Sequence, residues 1–414
     1  MSQWVVNLIC LWFSQFIVMA GFCAMVPFIP LYIKGDLQIT NESDLAAAVA
    51  MFNFFGTLAY ALFNPIWGKL SDRFGVKPML LRGTFLTSIL FPMMAYTSSV
   101  TVLIVLRFFS AACAGTTAAS QTMLVRTAPE NRQGFALGVL TTAIWGGGML
   151  GNVIGGLVIH YFNYTYAFWL CGILYFVAGF SILFTKDDSV LLKPAVQAKK
   201  TFHMEKVVPW LPEFTRSVWL LMVLFVVLGL VRNFEAPYVA LKIEELTDKA
   251  NAAKWTGIVS AIVCCGAIVA GVISGYLVDK LPPNRILLPI IVISAAALAL
   301  QGYAKSLWLF AIARTALYLA AGGLQPLLQK VLSQVTPKRK RGSIFGFASS
   351  AQCCGNMLAA LLGGYAFIIT KLSGVFYIGA LLILLALPLM QNFITLAINR
   401  PRFPRRKRRA AKAH

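Results

Sequence analysis

Four ionisable side chains lie inside long apolar runs of this 414-residue sequence. They are Arg107, Arg232, Glu235 and Arg314. A charged group is costly to bury among apolar residues, so it marks a place where a charged ligand is bound, a proton is carried, or two charges pair. Arg232 and Glu235 are three positions apart, which would place them on one face of a helix. These four residues are the first candidates for chemistry.

The elements that must position these residues are helices that span a membrane. The sequence is 59% hydrophobic and only 12% charged, and the resulting apolar surface requires lipid rather than water. A membrane-spanning helix needs about twenty mostly apolar residues. On this basis we predict an all-α integral membrane fold of twelve spans, near residues 5–33, 46–70, 79–97, 100–125, 134–160, 164–185, 217–241, 254–278, 284–304, 306–330, 342–369 and 373–397.

The second half of the sequence repeats the first. Arg107 is followed by Gly115 as Arg314 is followed by Gly322, and the segment 68–73 has a counterpart in 275–280. Two matching six-helix bundles with a cavity between them are typical of secondary transporters. The predicted organisation is an N-terminal bundle (1–185), a cytoplasmic linker (186–216), a C-terminal bundle (217–398) and a basic cytoplasmic tail (399–414).

Positive charge is concentrated in the loops on one side of the predicted spans. The formal net charge is +22, and the loops on the other side mix lysines with acidic residues. This distribution predicts that the basic side is cytoplasmic. The protein would then lie in the inner or plasma membrane with both termini in the cytoplasm. The tail is expected to contact anionic lipid. The alternative is a tail that binds nucleic acid or a partner. We expect that the protein does not bind nucleic acid.

Three motifs carry a resemblance to a known family. The segment Gly68-Lys-Leu-Ser-Asp-Arg-Phe-Gly-Val-Lys77 resembles the loop signature of the major facilitator superfamily. Leu103-x-x-x-Arg107 is similar to the helix 4 motif of its drug/proton antiporters, and the glycines from Gly138 to Gly155 are similar to their helix 5 motif. The resemblance covers the chain to about residue 398. It is nearest to the twelve-helix multidrug and tetracycline efflux proteins, although Asn152 stands where they usually have proline.

The resemblance implies a conformational latch on the cytoplasmic side. Asp72 would bind the start of helix 11 and Asp279 the start of helix 5, and together they would favour the outward-facing state. The alternative is that these charges only fix the topology. The residues assigned to the latch are Gly68, Asp72, Arg73, Gly75, Lys77 and Asp279.

The resemblance also implies a sliding seam between the bundles. Gly147, Gly151 and Gly155 recur at intervals of four residues, which places them on one helix face where another backbone can approach closely. Gly355 and Gly363 repeat the pattern in helix 11. In the family these helices face the opposite bundle.

Helices 1, 4, 7 and 10 line the cavity in this family. We therefore expect Arg107, Arg232, Glu235 and Arg314 to form one charged layer in the outer half of the pathway. Two interpretations of Glu235 stay open: it carries the coupling proton, or it forms a static pair with Arg232. Three arginines against one glutamate favour neutral, zwitterionic or anionic substrates over cations.

The predicted function is proton-driven export of a small organic molecule, as in multidrug resistance. Transport of a siderophore or another organic anion, and proton-coupled or facilitated uptake, are alternatives, and a receptor on a transporter scaffold is the third class. The sequence has no nucleophile motif, phosphate-binding loop or metal-ligand spacing. We therefore expect no enzyme, cofactor or metal, and a monomer whose partners are its substrate, protons and lipid.

Overall fold

The twelve predicted spans are present in the computed structural model. It describes residues 2–129, 132–186, 216–280, 283–322, 324–335 and 341–399. The predicted linker (186–216) and tail (399–414) lie outside the described residues except at their ends, so the division into these segments stays a prediction. Every regular element in the described part of the chain is helical.

The first six spans belong to the N-terminal half. Their bounds agree with the predicted ones to within a few residues. They are α1 (Gln3–Gly35), α2 (Glu42–Phe74), α3 (Val76–Met94), α4 (Val100–Thr127), α5 (Gln133–Tyr161) and α6 (Tyr164–Leu183).

The other six spans follow in the C-terminal half. The last two form one unbroken helical assignment, Arg341–Asn399, which is divided by a non-helical residue at Lys371 (φ 60°, ψ −175°). The spans are α7 (216–246), α8 (Ala252–Lys280), α9 (Pro283–Tyr303), α10 (307–335), α11 (341–370) and α12 (372–399).

Length and hydropathy identify most of these helices directly. Among the described residues, nine helical segments are long and apolar enough to cross a membrane, and one of them, Phe347–Leu396, contains both α11 and α12. The remaining two spans, α3 and α10, are shorter or less apolar. Their places in the chain are fixed by the alternation of loops between two faces. We call the face that holds residue 2 the N-terminal face, and the other one the opposite face.

The four helices α1, α4, α7 and α10, which occupy equivalent places in the two repeats, are all interrupted. Pro27 and Pro237 lie in short 3₁₀ turns, because proline has no N–H to continue the α-helical ladder. Gly115 adopts φ +110°, a left-handed conformation that glycine adopts without steric cost. Interrupted helices are a common source of binding groups at the midplane of transporters. The pieces are Gln3–Met25 and Ile29–Gly35, Val100–Cys113 and Thr116–Thr127, Arg216–Asn233 and Val239–Leu246, and Leu307–Ala321 and Leu324–Val335.

The two bundles share one apolar core at the opposite face. This cluster combines Phe28 and Phe52 of the first half with Tyr238 and Phe367 of the second, all at most 4% exposed. Two other large clusters belong to one half each. The bundles are therefore packed against each other at the opposite face.

Candidate functional site

A central cavity lies between the two bundles. Its volume is about 340 Å³, within the usual range of small-molecule sites. The interrupted helices supply much of its wall, including Pro27 and Pro30 of α1 and Pro237 of α7. Arg314 and Tyr318 of α10 also line it. The cavity is thus built where the helical ladders are broken, as transporter sites commonly are.

A second cavity, which we call the Arg107 cavity, adjoins the central one. It lies mainly inside the N-terminal bundle, and Thr57 and Asn356 line both cavities. The cation–π partners of Arg107 are Phe22 and Phe52, whose ring centroids are each 5.3 Å from its Cζ atom. No carboxylate is among the described residues that line this cavity.

Arg107 is held in place by close packing. A methyl group added at Gly56 would lie only 2.6 Å from the Nε atom of Arg107, so the guanidinium passes directly over the α2 backbone. This Nε atom is buried and has no hydrogen-bond partner among the described residues. The arginine therefore reaches the cavity as a positive charge without a counter-charge among the described residues.

The equivalent arginine of the second half has an acidic partner. Nη1 of Arg314 donates to Oε1 of Glu235 and to Oε1 of Gln301, each at 3.1 Å. The side chains of Arg314 and Glu235 are 6% and 3% exposed. Arg314 lines the central cavity, whereas Glu235 lies behind it in the C-terminal bundle. Only the arginine of the ion pair is therefore in contact with the contents of the central cavity.

The static pair of Glu235 with Arg232 that the sequence suggested is not what the structure contains. Nη1 of Arg232 donates to Oε1 of Gln325 at 2.7 Å, and Glu235 binds Arg314 instead. The reason is local: the α-helix ends at Asn233 and a 3₁₀ turn follows Glu235, so the i,i+3 geometry of a continuous helix does not apply. Arg232 and Glu235 do line a common apolar pocket within the bundle.

The four charged residues do not share one chamber as a single layer. Arg107 and Arg314 face two adjoining cavities, and Arg232 and Glu235 face a third pocket that shares Tyr318 with the central cavity. The separation arises because α4 and α10 project their arginines from different bundles. The sequence alone indicates the depth of a residue in the membrane but not which pocket it enters.

Asparagines form most of the remaining polar wall of the central cavity. Asn53, Asn152, Asn233 and Asn356 all line it. The side-chain amides of Asn233 and Asn356 lie 2.8 Å apart. Oδ1 of Asn152 is buried without a partner in the described part of the chain. The signal that identifies them is a polar residue in a span at the level of a helix break.

At the opposite face, polar contacts join the two bundles. Nζ of Lys34, at the end of α1, lies 2.6 Å from Oε2 of Glu244 at the end of α7. Nδ1 of His160 on α5 lies 2.8 Å from the carbonyl oxygen of Ala250. These contacts lie on the same side as the shared apolar core. The central cavity is therefore closed at the opposite face.

The comparisons with known proteins agree with this architecture. The family model described as Major Facilitator Superfamily matches residues 11–241 and 251–413. The chain belongs to the major facilitator superfamily. Membership in this superfamily identifies a membrane transporter and not an enzyme.

Curated relatives in the superfamily include multidrug resistance proteins. The chain is 27% identical over 362 residues to the multidrug resistance protein MdtG of Salmonella dublin, covering 87% of this chain and 88% of the relative. The identity and both coverages are the same for MdtG of Salmonella typhimurium.

Two solved structures of superfamily members share the fold. A crystal structure of the nucleoside transporter NupG has a TM-score of 0.75 at 12% identity, covering 94% of this chain and 99% of NupG. A crystal structure of a D-xylose–proton symporter has a TM-score of 0.77 at 15% identity, with coverages of 95% and 98%. At these identities the likeness concerns the fold alone.

The seam glycines expected from the superfamily resemblance face their own bundle. Side chains added at Gly147, Gly151 and Gly155 would overlap the α1 backbone, and those at Gly355 and Gly363 would overlap α7. These glycines pack closely against the backbone of a helix of the same bundle, and their role as a sliding seam stays a prediction. The pattern of spacing identifies a helix face and carries no information about which helix packs there.

The neighbouring glycines make the contact between bundles. A methyl group at Gly156 would lie 2.7 Å from the carbonyl oxygen of Ala253 on α8. One at Gly364 would lie 2.6 Å from Cβ of Ala50 on α2. In each pair of adjacent glycines, 155–156 and 363–364, the first thus packs against its own bundle and the second against the other bundle.

Most of the predicted latch falls outside the side chains that the structure describes. This is the case for Gly68, Asp72, Arg73 and Asp279, so the latch stays a prediction. Gly75 is described and ends α2 with φ +93°.

Lys77, which immediately follows the turn between α2 and α3, is also described. Its Nζ donates to the carbonyl oxygens of Leu183 and Thr185, each at 2.7 Å. A cation at the C-terminal end of a helix interacts favourably with the helix dipole. Among its contacts, Lys77 therefore binds the end of α6.

Proposed function

We propose that this protein exports a small organic molecule from the cell in exchange for protons. The observation that carries the proposal is the buried Glu235–Arg314 pair, with the arginine on the wall of the central cavity and the acid behind it. An acidic group in such a position can take up and release a proton with direct consequences for the cavity. The names of the curated relatives, which are multidrug resistance proteins, support export.

The charge distribution supports a cytoplasmic N-terminal face, because lysine and arginine concentrate in the loops on that side. The opposite face is then external, and the contacts across it correspond to a transporter closed to the outside. In this state Glu235 is bound to Arg314. Protonation of Glu235 from outside would release Arg314, and release of the proton to the cytoplasm would restore the pair.

The positive charges on the cavity walls support neutral, zwitterionic or anionic substrates. Arg107 faces its cavity without a counter-charge among the described residues, and Arg314 is the charged group of the pair that faces the central cavity. A cationic molecule would be repelled by Arg107, and also by Arg314 once protonation of Glu235 releases it. The protein acts as a monomer in this proposal, because one chain contains the complete pathway.

Transport of dyes into inside-out vesicles tests the proposal. The dyes are sulforhodamine B (anionic), rhodamine B (zwitterionic) and ethidium (cationic), and the lumen is made acidic. We expect the wild type to accumulate one or both of the first two dyes and not ethidium. Glu235→Gln should abolish accumulation driven by the pH gradient while dye equilibration without a gradient continues.

A matched control is Glu42→Gln, which removes the same charge at an exposed position at the start of α2. This variant should accumulate dye as the wild type does. Undiminished gradient-driven transport by Glu235→Gln would refute Glu235 as the proton carrier. Expulsion of dye from the acidic lumen would instead support proton-coupled uptake, the alternative that uses the same residues.

A further inference from the structure

The equivalent arginines of the two bundles, Arg107 and Arg314, differ in their interaction partners. Arg314 is neutralised by Glu235, whereas Arg107 has neither a salt bridge nor a side-chain hydrogen bond to another described residue. The halves are otherwise repeats, so this difference is specific to the N-terminal cavity. Arg107 is partly buried and its Nε atom is fully buried, and retaining such a charge without a partner is costly unless something else supplies the counter-charge.

The surroundings of Arg107 are suited to an anion that carries a ring. Phe22 lies against the guanidinium, and Phe91 and Tyr175 are stacked with ring centroids 5.6 Å apart on the wall of the same cavity. Aromatic side chains bind rings by offset or edge-to-face stacking. A guanidinium binds a carboxylate through two parallel hydrogen bonds.

A second polar group in the cavity lacks a partner. Thr87 is only 2% exposed, and its Oγ1 atom has no hydrogen-bond partner among the described residues. A buried hydroxyl group is normally hydrogen-bonded, because leaving it unpaired costs free energy. Thr87 and Arg107 both line this cavity, so a ligand oxygen could satisfy the hydroxyl as well as the guanidinium.

We propose that the Arg107 cavity binds aromatic organic anions, with Arg107 as the counter-ion and Thr87 as an additional hydrogen-bond donor. The proposal deepens the proposed function, on which it rests, by naming the substrate class. The acidic group of the ligand lies at Arg107, and its ring packs against the aromatic wall of the same cavity.

Binding of three small probes to the purified full-length protein in a neutral detergent tests this site. Benzoate has both the ring and the charge, benzamide has the ring without the charge, and acetate has the charge without the ring. We expect saturable binding of benzoate, with benzamide and acetate each at least about tenfold weaker, since a hydrogen bond to a charged group contributes about 1.5–3 kcal/mol.

Two variants and a control locate the binding. Arg107→Gln should remove the preference for benzoate over benzamide. Thr87→Val, which is nearly isosteric, should weaken the binding of benzoate. Lys305→Gln removes one positive charge at an exposed position outside both cavities and should bind all three probes as the wild type does.

Equal binding of benzoate and benzamide by the wild type would overturn the proposal, and this comparison holds even if a variant fails to fold. An unchanged preference in folded Arg107→Gln would also overturn it. If the wild type prefers benzoate to benzamide but shows no proton-driven dye transport, the result would count against the proposed function alone. If the wild type transports dye with protons but binds benzoate and benzamide equally, the result would count against the anion site alone.

Discussion

The Glu235–Arg314 pair predicts a large coupling energy in a double-mutant cycle. The cycle comprises Glu235→Gln, Arg314→Gln and the double variant. Each single substitution leaves one ionised or polar group buried without its partner. The double variant leaves two neutral amides that can still bond to each other or to Gln301. The structure therefore predicts that the two substitutions are far from additive.

The magnitude follows from burial and distance. The charged atoms are 3.1 Å apart, and at most 6% of either side chain is exposed, so solvent screens the pair only weakly. Removing one member of such a buried pair costs about 3–5 kcal/mol, and replacing both members costs much less. We expect each single variant to lose about 3–5 kcal/mol of stability and the double variant to lose less than either single one, so that the coupling energy is at least about 3 kcal/mol.

The assay is reversible denaturant unfolding of the four proteins in the same detergent, followed by circular dichroism. The control cycle is Lys34→Gln with Glu244→Gln, because this pair is partly exposed and its coupling should be about 0–1 kcal/mol. Effects at Glu235 and Arg314 that add to within about 0.5 kcal/mol would refute the interpretation of a paired buried charge.

Two other predictions concern the Arg107 cavity and the closure of the opposite face. Gly56→Ala should displace the guanidinium of Arg107 and weaken benzoate binding. Gly138→Ala, where no atom lies within 4 Å of the added methyl group, should not. Isothermal titration measures both affinities for benzoate, and equal values would contradict the packing argument. Lys34→Glu should repel Glu244 and open the opposite face, which is external in the proposed orientation. This opening should raise the labelling of cavity thiols by an impermeant maleimide added outside cells. The charge-swapped variant Lys34→Glu/Glu244→Lys should restore low labelling, and failure of this rescue would mean that the pair does not hold the face closed.

The helices could be predicted because a span requires only length and hydropathy. The breaks within α1, α4, α7 and α10 were not predicted. Pro27 and Pro237 are visible in the sequence, but prolines also occur inside continuous helices here, for example Pro289 in α9 and Pro388 in α12. Whether a proline interrupts a span depends on the neighbouring helices that can bond to the freed backbone groups.

The charged residues of the site could be identified, but their partners could not. Glu235 and Arg314 are separated by 79 positions and meet only after two helices have packed together. The local rule that pairs Glu235 with Arg232 requires a continuous helix, and the helix ends between them. In the same way, the spacing of Gly147, Gly151 and Gly155 predicts close packing, while only the folded bundle shows that the partner is α1.

The apolar core that the two bundles share gives the transporter a built-in response to temperature. Opening the opposite face would separate Phe28 and Phe52 from Tyr238 and Phe367 and bring part of this surface into contact with water. Exposure of apolar surface raises the heat capacity, and hydrophobic contacts weaken on cooling. The balance between the two states of the pathway should therefore follow a curved temperature dependence, with the state open at the opposite face gaining population in the cold.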